Sequence, residues 1–201
     1  MAVLATVRYI LPMKRVIIVH GWASHPNDGW FPWIKNELET RGYTVEIPAM
    51  PHPMIPTVDA WVNALADTAG QIDENTIFIG HSIGCQTILR YLETVQTKIC
   101  GAIFVAGFFR VEGLRSEMER RHALPWMEPL DMEKIRSIIP QSFAIFSDND
   151  RFVSLEENSR MFEEQLGSKI IIEHEKKHFA GKQGINQLQS VLDAVLEISS
   201  T

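Results

Sequence analysis

Thr76-Ile77-Phe78-Ile79-Gly80-His81-Ser82-Ile83-Gly84 is the stretch that decides the fold. An apolar, β-favouring run leads into G-x-S-x-G, and a helix-forming stretch follows at once. The pattern carries meaning only between a strand and a helix, and both flanks are present. In that setting the serine sits on a sharp turn with its hydroxyl raised at the C-terminal edge of a sheet. The two glycines answer to close packing, because a Cβ at Gly80 or Gly84 would meet neighbouring backbone. The turn also opens a helix, whose free N–H groups and positive dipole end suit a developing oxyanion. Ser82 is therefore the predicted nucleophile.

Outward from this turn, strands alternate with helices. Residues 16–20 (VIIVH), 76–79, 99–106 and 142–146 are apolar runs, as in parallel strands buried on both faces. Further strands are expected at 43–47 and 169–173. Helices are expected over about 28–41, 57–69, 83–95, 154–167 and 183–198, with a short one opened by Asp131. Thr57 reads as an N-cap, and Ser154-x-x-Glu157 as a capping box. Trp30, Trp33, Ile34 and Leu38 recur at helical spacing and read as packing rather than as a ligand cage. Residues 48–56 hold four prolines and form a stiff surface loop. Residues 107–139 are the one large insertion between core strands, read equally as a partial lid or pocket wall and as a surface excursion. The alternation predicts an α/β fold with a mostly parallel central sheet and helices on both faces. Functional groups then belong on loops at the strand C-termini. Residues 1–13 read as an N-terminal extension ahead of a start-like Met13, and 14–201 as a single domain.

Composition narrows the function. The chain has 201 residues and a net charge of −6, with no block of Lys or Arg. Nucleic acid and anionic membrane are poor partners for such a surface. No apolar run approaches a membrane span, and the cytoplasm is the default location. Cys85 and Cys100 are too few to staple the chain and read as small buried hydrophobes. No clustered metal-ligand spacing appears, so no metal site is read from the sequence.

A serine hydroxyl needs a base to take its proton and an acid to orient that base. In α/β-hydrolases the chain order is nucleophile, acid, histidine. Only His174 and His178 follow the later strands. His174 sits at the end of a predicted strand, whereas His178 lies in the loop beyond it, where a base belongs. Two acids follow the strand at 142–146, Asp148 and Asp150, and spacing does not separate them. The other of the pair is expected to bond its own backbone in a turn. Of the two oxyanion donors, one is the N–H of Ile83. The second is the N–H of Trp22, with Ala23 as the alternative. His20 and His25 read as loop hydrogen-bonding residues.

Several segments carry a resemblance. They are His20-Gly21 followed by Trp30-Phe31-Pro32-Trp33-Ile34, then Met50-Pro51-His52-Pro53 and Gly80-His81-Ser82-Ile83-Gly84, then residues 147–153 (SDNDRFV) and His178-Phe179. Together they resemble the small α/β-hydrolase-fold serine hydrolases typified by the retinoblastoma-binding protein and its bacterial esterase relatives. The resemblance implies an α/β-hydrolase fold with a minimal lid and a cofactor-independent hydrolase of small esters or amides. It carries the acid to Asp150, followed by Arg151-Phe152-Val153, and the base to His178. Lys177 departs from the pattern, since relatives often have glycine directly before the base. The functional expectation is a carboxylic-ester hydrolase. An amidase or peptidase with the same triad is an alternative, as is a protein-binding module on a hydrolase fold, suggested by partner binding in one branch of the family.

Overall fold

The computed structural model describes residues 14–200, so the extension assigned to 1–13 lies outside the described residues. Six strands form one parallel sheet: β1 (Arg15–Val19), β2 (Thr44–Glu46), β3 (Thr76–His81), β4 (Gly101–Val105), β5 (Ser142–Ser147) and β6 (Lys169–Glu173). Their order is β2-β1-β3-β4-β5-β6. The chain leaves β1 towards one edge and returns to start β3 on its other side. A crevice therefore opens at the C-terminal ends of β1 and β3, the topological switch point where α/β sheets bind ligands.

Strand alternation sends side chains into two cores. Ile17, Val19, Phe78, Phe104 and Phe146 face one, with α2 (Val58–Ala69), α3 (Ile83–Thr94), α5 (Met132–Ile138) and α6 (Leu155–Leu166). Val16, Ile18, Ile77, Ile79, Ile103 and Ile145 face the other, with α1 (Phe31–Glu39) and α7 (Gln189–Ser199). The remaining helix, α4 (Glu117–Ala123), lies in the insertion at 107–139. No helix among the described residues is long and apolar enough to cross a membrane.

Several boundaries differ from expectation for local reasons. Helix α1 starts at Phe31, with Pro32 in its first turn, and residues 28–30 are spent on a turn. The last helix starts at Gln189 rather than 183. A short 3-10 turn, Gly181–Gln183, ends at Gly184 with φ +88°, and Leu188 is buried ahead of the helix. Strand β3 continues through Gly80 and His81. Thr57 and Ser154 stand at N-cap positions, yet neither side chain makes a capping bond. Glu157 instead pairs with Arg110. The capping box occurs at Ser116 and Glu119, opening α4, and Asp131 caps α5 as read.

Candidate active site

The β3–α3 turn is as tight as the sequence requires. Ser82 has φ +55° and ψ −120°, a conformation that non-glycine residues rarely adopt. A Cβ on Gly80 would lie 2.7 Å from the Cα of Cys85, and one on Gly84 would fall on the carbonyl oxygen of Val19. Those contacts press the start of α3 against β1 and leave Ser82 at the sheet edge. Cys85, one turn on, is fully buried, and burial pushes its thiol pKa up. It is a packing residue.

Ser82 meets its expected partners across the crevice. His178 Nε2 is 2.9 Å from Ser82 Oγ, and His178 Nδ1 is 2.7 Å from Asp150 Oδ2. The Asp150 side chain is only 2% exposed. Its second oxygen accepts from the N–H groups of Phe152 and Val153, which locks the carboxylate in place. Phe152 packs edge-on against the His178 ring, with centroids 5.1 Å apart.

Asp148 does something different. It accepts from Glu175 N–H and lies 2.6 Å from Nδ1 of His174, whose side chain is 80% exposed. The carboxylate interacts with its own backbone N–H, as expected of the spare acid, and also reaches across to the next loop. Its neighbours do the same. Ser147 Oγ accepts from Lys176 N–H, and Asn149 Oδ1 from Lys177 N–H. The residues 147–150 thus grip 174–178, side chain to loop. Lys177 sits at φ +53°, a left-handed conformation that favours glycine.

Three side chains that the sequence does not mark as part of the site hold the backbone of the loop that carries His178. Nε2 of His81 is 2.8 Å from the carbonyl oxygen of His178 and donates to it. Trp30 Nε1 donates to the carbonyl of Phe179 at 3.2 Å. Gln183 Oε1 accepts from the N–H groups of His178 and Ala180. Trp30 is core as expected, yet its indole N–H also positions the loop. The signal for His81 was its place inside the turn. No sequence signal marked Gln183.

Burial, followed by the neighbouring His178, holds His81 neutral by lowering its pKa to about 3. The sign of the linkage follows. Below about pH 6.5 the unfolded chain protonates this histidine while the folded protein does not. Stability contributed above pH 6.5 is therefore lost as pH falls towards 3. His20, its pKa also lowered by burial, acts in the same direction. We expect His81→Asn to reduce the slope of unfolding free energy against pH in this window, by up to about 1.4 kcal/mol per pH unit. Urea unfolding at a series of pH values checks this, and an unchanged slope contradicts it.

The loop after β1 supplies the opposite wall. Ala23 N–H is donated to the carbonyl of Pro53 at 2.9 Å, which removes it as an oxyanion donor. The N–H of Trp22 has no acceptor among the described residues, and Ile83, first in α3, has no intrahelical one. The proline-rich loop anchors this wall. Met54 O accepts from Trp22 Nε1, Pro51 O from Trp61 Nε1, and His20 Nε2 from Met50 N–H. His20 Nδ1 then donates to the carbonyl of Gly21, so His20 is a loop-bonding residue. His25 pairs with Asp28.

A cleft of about 620 Å³ opens over Ser82. Phe108, Leu114, Met118 and Trp126 line it, so the insertion at 107–139 forms a pocket wall.

A parallel sheet in this order, with a serine on a strand–helix turn at its switch point, is the architecture of an α/β-hydrolase. The sequence profile of the serine hydrolase family matches residues 16–197, and the chain belongs to that family. It is similar to YdeN of Bacillus subtilis (strain 168), 29% identical over 192 residues, covering 90% of this chain and 94% of that one. The crystal structure of the ydeN gene product superposes with a TM-score of 0.84 at 28% identity, over 94% of this chain and 100% of that one. The serine hydrolase RBBP9 of Rattus norvegicus is 28% identical, covering 92% of this chain and 96% of its own. Est1E from Butyrivibrio proteoclasticus shares the fold at 14% identity, with a TM-score of 0.71 over 94% of this chain and 89% of its own.

Proposed function

We propose that the protein is a carboxylic-ester hydrolase that works through an acyl-enzyme on Ser82. The observation that carries this reading is the unbroken chain Ser82 Oγ–His178–Asp150, at 2.9 and 2.7 Å, opening into a cleft with one apolar wall. Ser82 attacks the ester carbonyl as His178 Nε2 takes its proton. Asp150 holds the ring in the tautomer with Nδ1–H and stabilises the imidazolium. The N–H groups of Ile83 and Trp22 receive the oxyanion. His178 then protonates the departing alcohol, and water repeats the sequence to release the acid.

An amide presents a poorer leaving group to the same residues. Matched aryl acetate and acetanilide substrates test the assignment. The ester is expected to turn over with a kcat/KM at least about 10³-fold above the amide, and His178→Ala to remove the activity. Comparable rates on both would move the assignment to an amidase.

A further inference from the structure

The cleft over Ser82 has two chemically different walls. One carries Trp22, Phe108, Val111, Leu114, Met118 and Trp126. The other carries Ser24, His25, Asp28, Lys182 and Gln183. The two segments of the polar wall are joined backbone to backbone, since a Cβ on Gly181 would lie 2.6 Å from the nitrogen of Gly29. Ser24 Oγ donates to Asp28 at 2.9 Å, and the His25 ring lies 2.9 Å from the same carboxylate. This wall is a set of hydrogen-bonding groups reachable from solvent, with His25 62% exposed at its side chain.

The reaction makes the walls non-interchangeable, and here the inference rests on the ester-hydrolase reading. The leaving oxygen takes its proton from His178, so the alcohol lies on the His178 side. Residues 181–183 begin three positions after that histidine and pack on the 24–29 loop. The acyl group stays on Ser82 and takes the remaining wall. That wall is tied to α3, the helix that Ser82 opens, because Gln86 Nε2 donates to the carbonyl of Phe108. Trp126 stacks edge-on against Trp61 behind it, with centroids 5.9 Å apart.

We propose that the substrates are esters joining an apolar, medium-length acyl chain to a hydroxylated alcohol. The acyl chain lies along Phe108, Leu114, Met118 and Trp126, and the alcohol's hydroxyls meet Ser24, His25, Asp28 and Lys182. In the balanced reaction, the Ser82 Oγ–acyl bond forms as the ester C–O bond breaks. The serine proton passes through His178 to the alcohol oxygen. Water then supplies the hydroxyl of the released acid, and its other proton returns through His178 to Ser82.

Each methylene buried against such a wall raises kcat/KM by about two- to fourfold. The gain stops where the chain reaches the rim, because Met118 is 60% exposed there.

The test uses monoacylglycerols and ethyl esters of acetic, butyric, hexanoic and octanoic acids, below their aggregation concentrations. The expected result is a stepwise rise in kcat/KM with chain length. Each glyceryl ester is expected to exceed its ethyl counterpart by about tenfold. Met118→Asp, a change at an exposed position, is expected to lower the octanoyl-to-acetyl ratio at least about tenfold. A flat or falling chain-length series with turnover intact overturns the acyl assignment. Equal rates on glyceryl and ethyl esters overturn the alcohol assignment. Absence of turnover on every ester, including an aryl acetate, overturns the ester-hydrolase reading and this inference with it.

Discussion

Ser82→Ala is expected to lower kcat on aryl esters by at least about 10⁴-fold while the protein stays folded. The size of the effect follows from the chemistry. In the proposed mechanism no acyl-enzyme forms without Oγ, and only the polarising N–H groups and substrate binding remain. The same position carries a stability signature that an ordinary surface serine would lack. Ser82 is held at φ +55° and ψ −120°, fixed by a 2.9 Å bond from its N–H to the carbonyl of Val105. A side chain with a Cβ is strained there by about 1–2 kcal/mol. Glycine relieves that strain and loses part of the gain to the greater freedom of its unfolded chain. Ser82→Gly is therefore expected to be as inactive as Ser82→Ala and more stable by about 0.5–1 kcal/mol. That difference is about 1–4 °C in Tm by calorimetry. A glycine variant less stable than the alanine variant contradicts the strained turn.

The second large effect separates two acids that stand two residues apart. Asp150→Asn is expected to lower kcat by about 10⁴-fold, because the amide no longer selects the Nδ1–H tautomer of His178. Asp148→Asn is expected to cost no more than about tenfold. Its carboxylate bonds Glu175 N–H and the exposed His174, and it does not touch His178. What it loses is part of the grip on the base loop. Steady-state kinetics on one ester, with circular dichroism to confirm folding, compare the pair. A reversed order would move the acid to Asp148 and the base to His174.

The contrast between these acids marks how far the sequence could be read. The strands were legible because parallel strands buried on both faces give continuous apolar runs, as at 16–20 and 142–146. The strand–helix turn at Ser82 was legible because one residue pattern has one geometric use between strand and helix. Asp148 and Asp150 could not be separated by spacing, since both follow β5. What distinguishes them is which loop residue each faces, a tertiary fact set by the pairing of 147–150 with 174–178. Only the resemblance, through the Phe152 and Val153 that follow it, singles out Asp150.

Capping departs from the sequence pattern for a related reason. Ser154-x-x-Glu157 has the right letters, but Arg110 claims Glu157. Ser116 and Glu119, in the irregular insertion, form the box instead. The start of the last helix was placed too early because Ile185 and Leu188 fit its apolar period, although Gly184 breaks the helix before them. The loop-holding roles of His81, Trp30 and Gln183 were hidden, because each acts on backbone groups that are distant in sequence or carry no residue identity.

The central claim is an activated serine served by a histidine, and one measurement addresses it most directly. The protein and its His178→Ala variant are exposed to a fluorophosphonate, then analysed by intact mass and peptide mapping. The account predicts a single adduct, on Ser82, formed rapidly in the native protein and at least about 10²-fold more slowly in the variant. No adduct on the folded native protein, or equal labelling rates in the two, would contradict it.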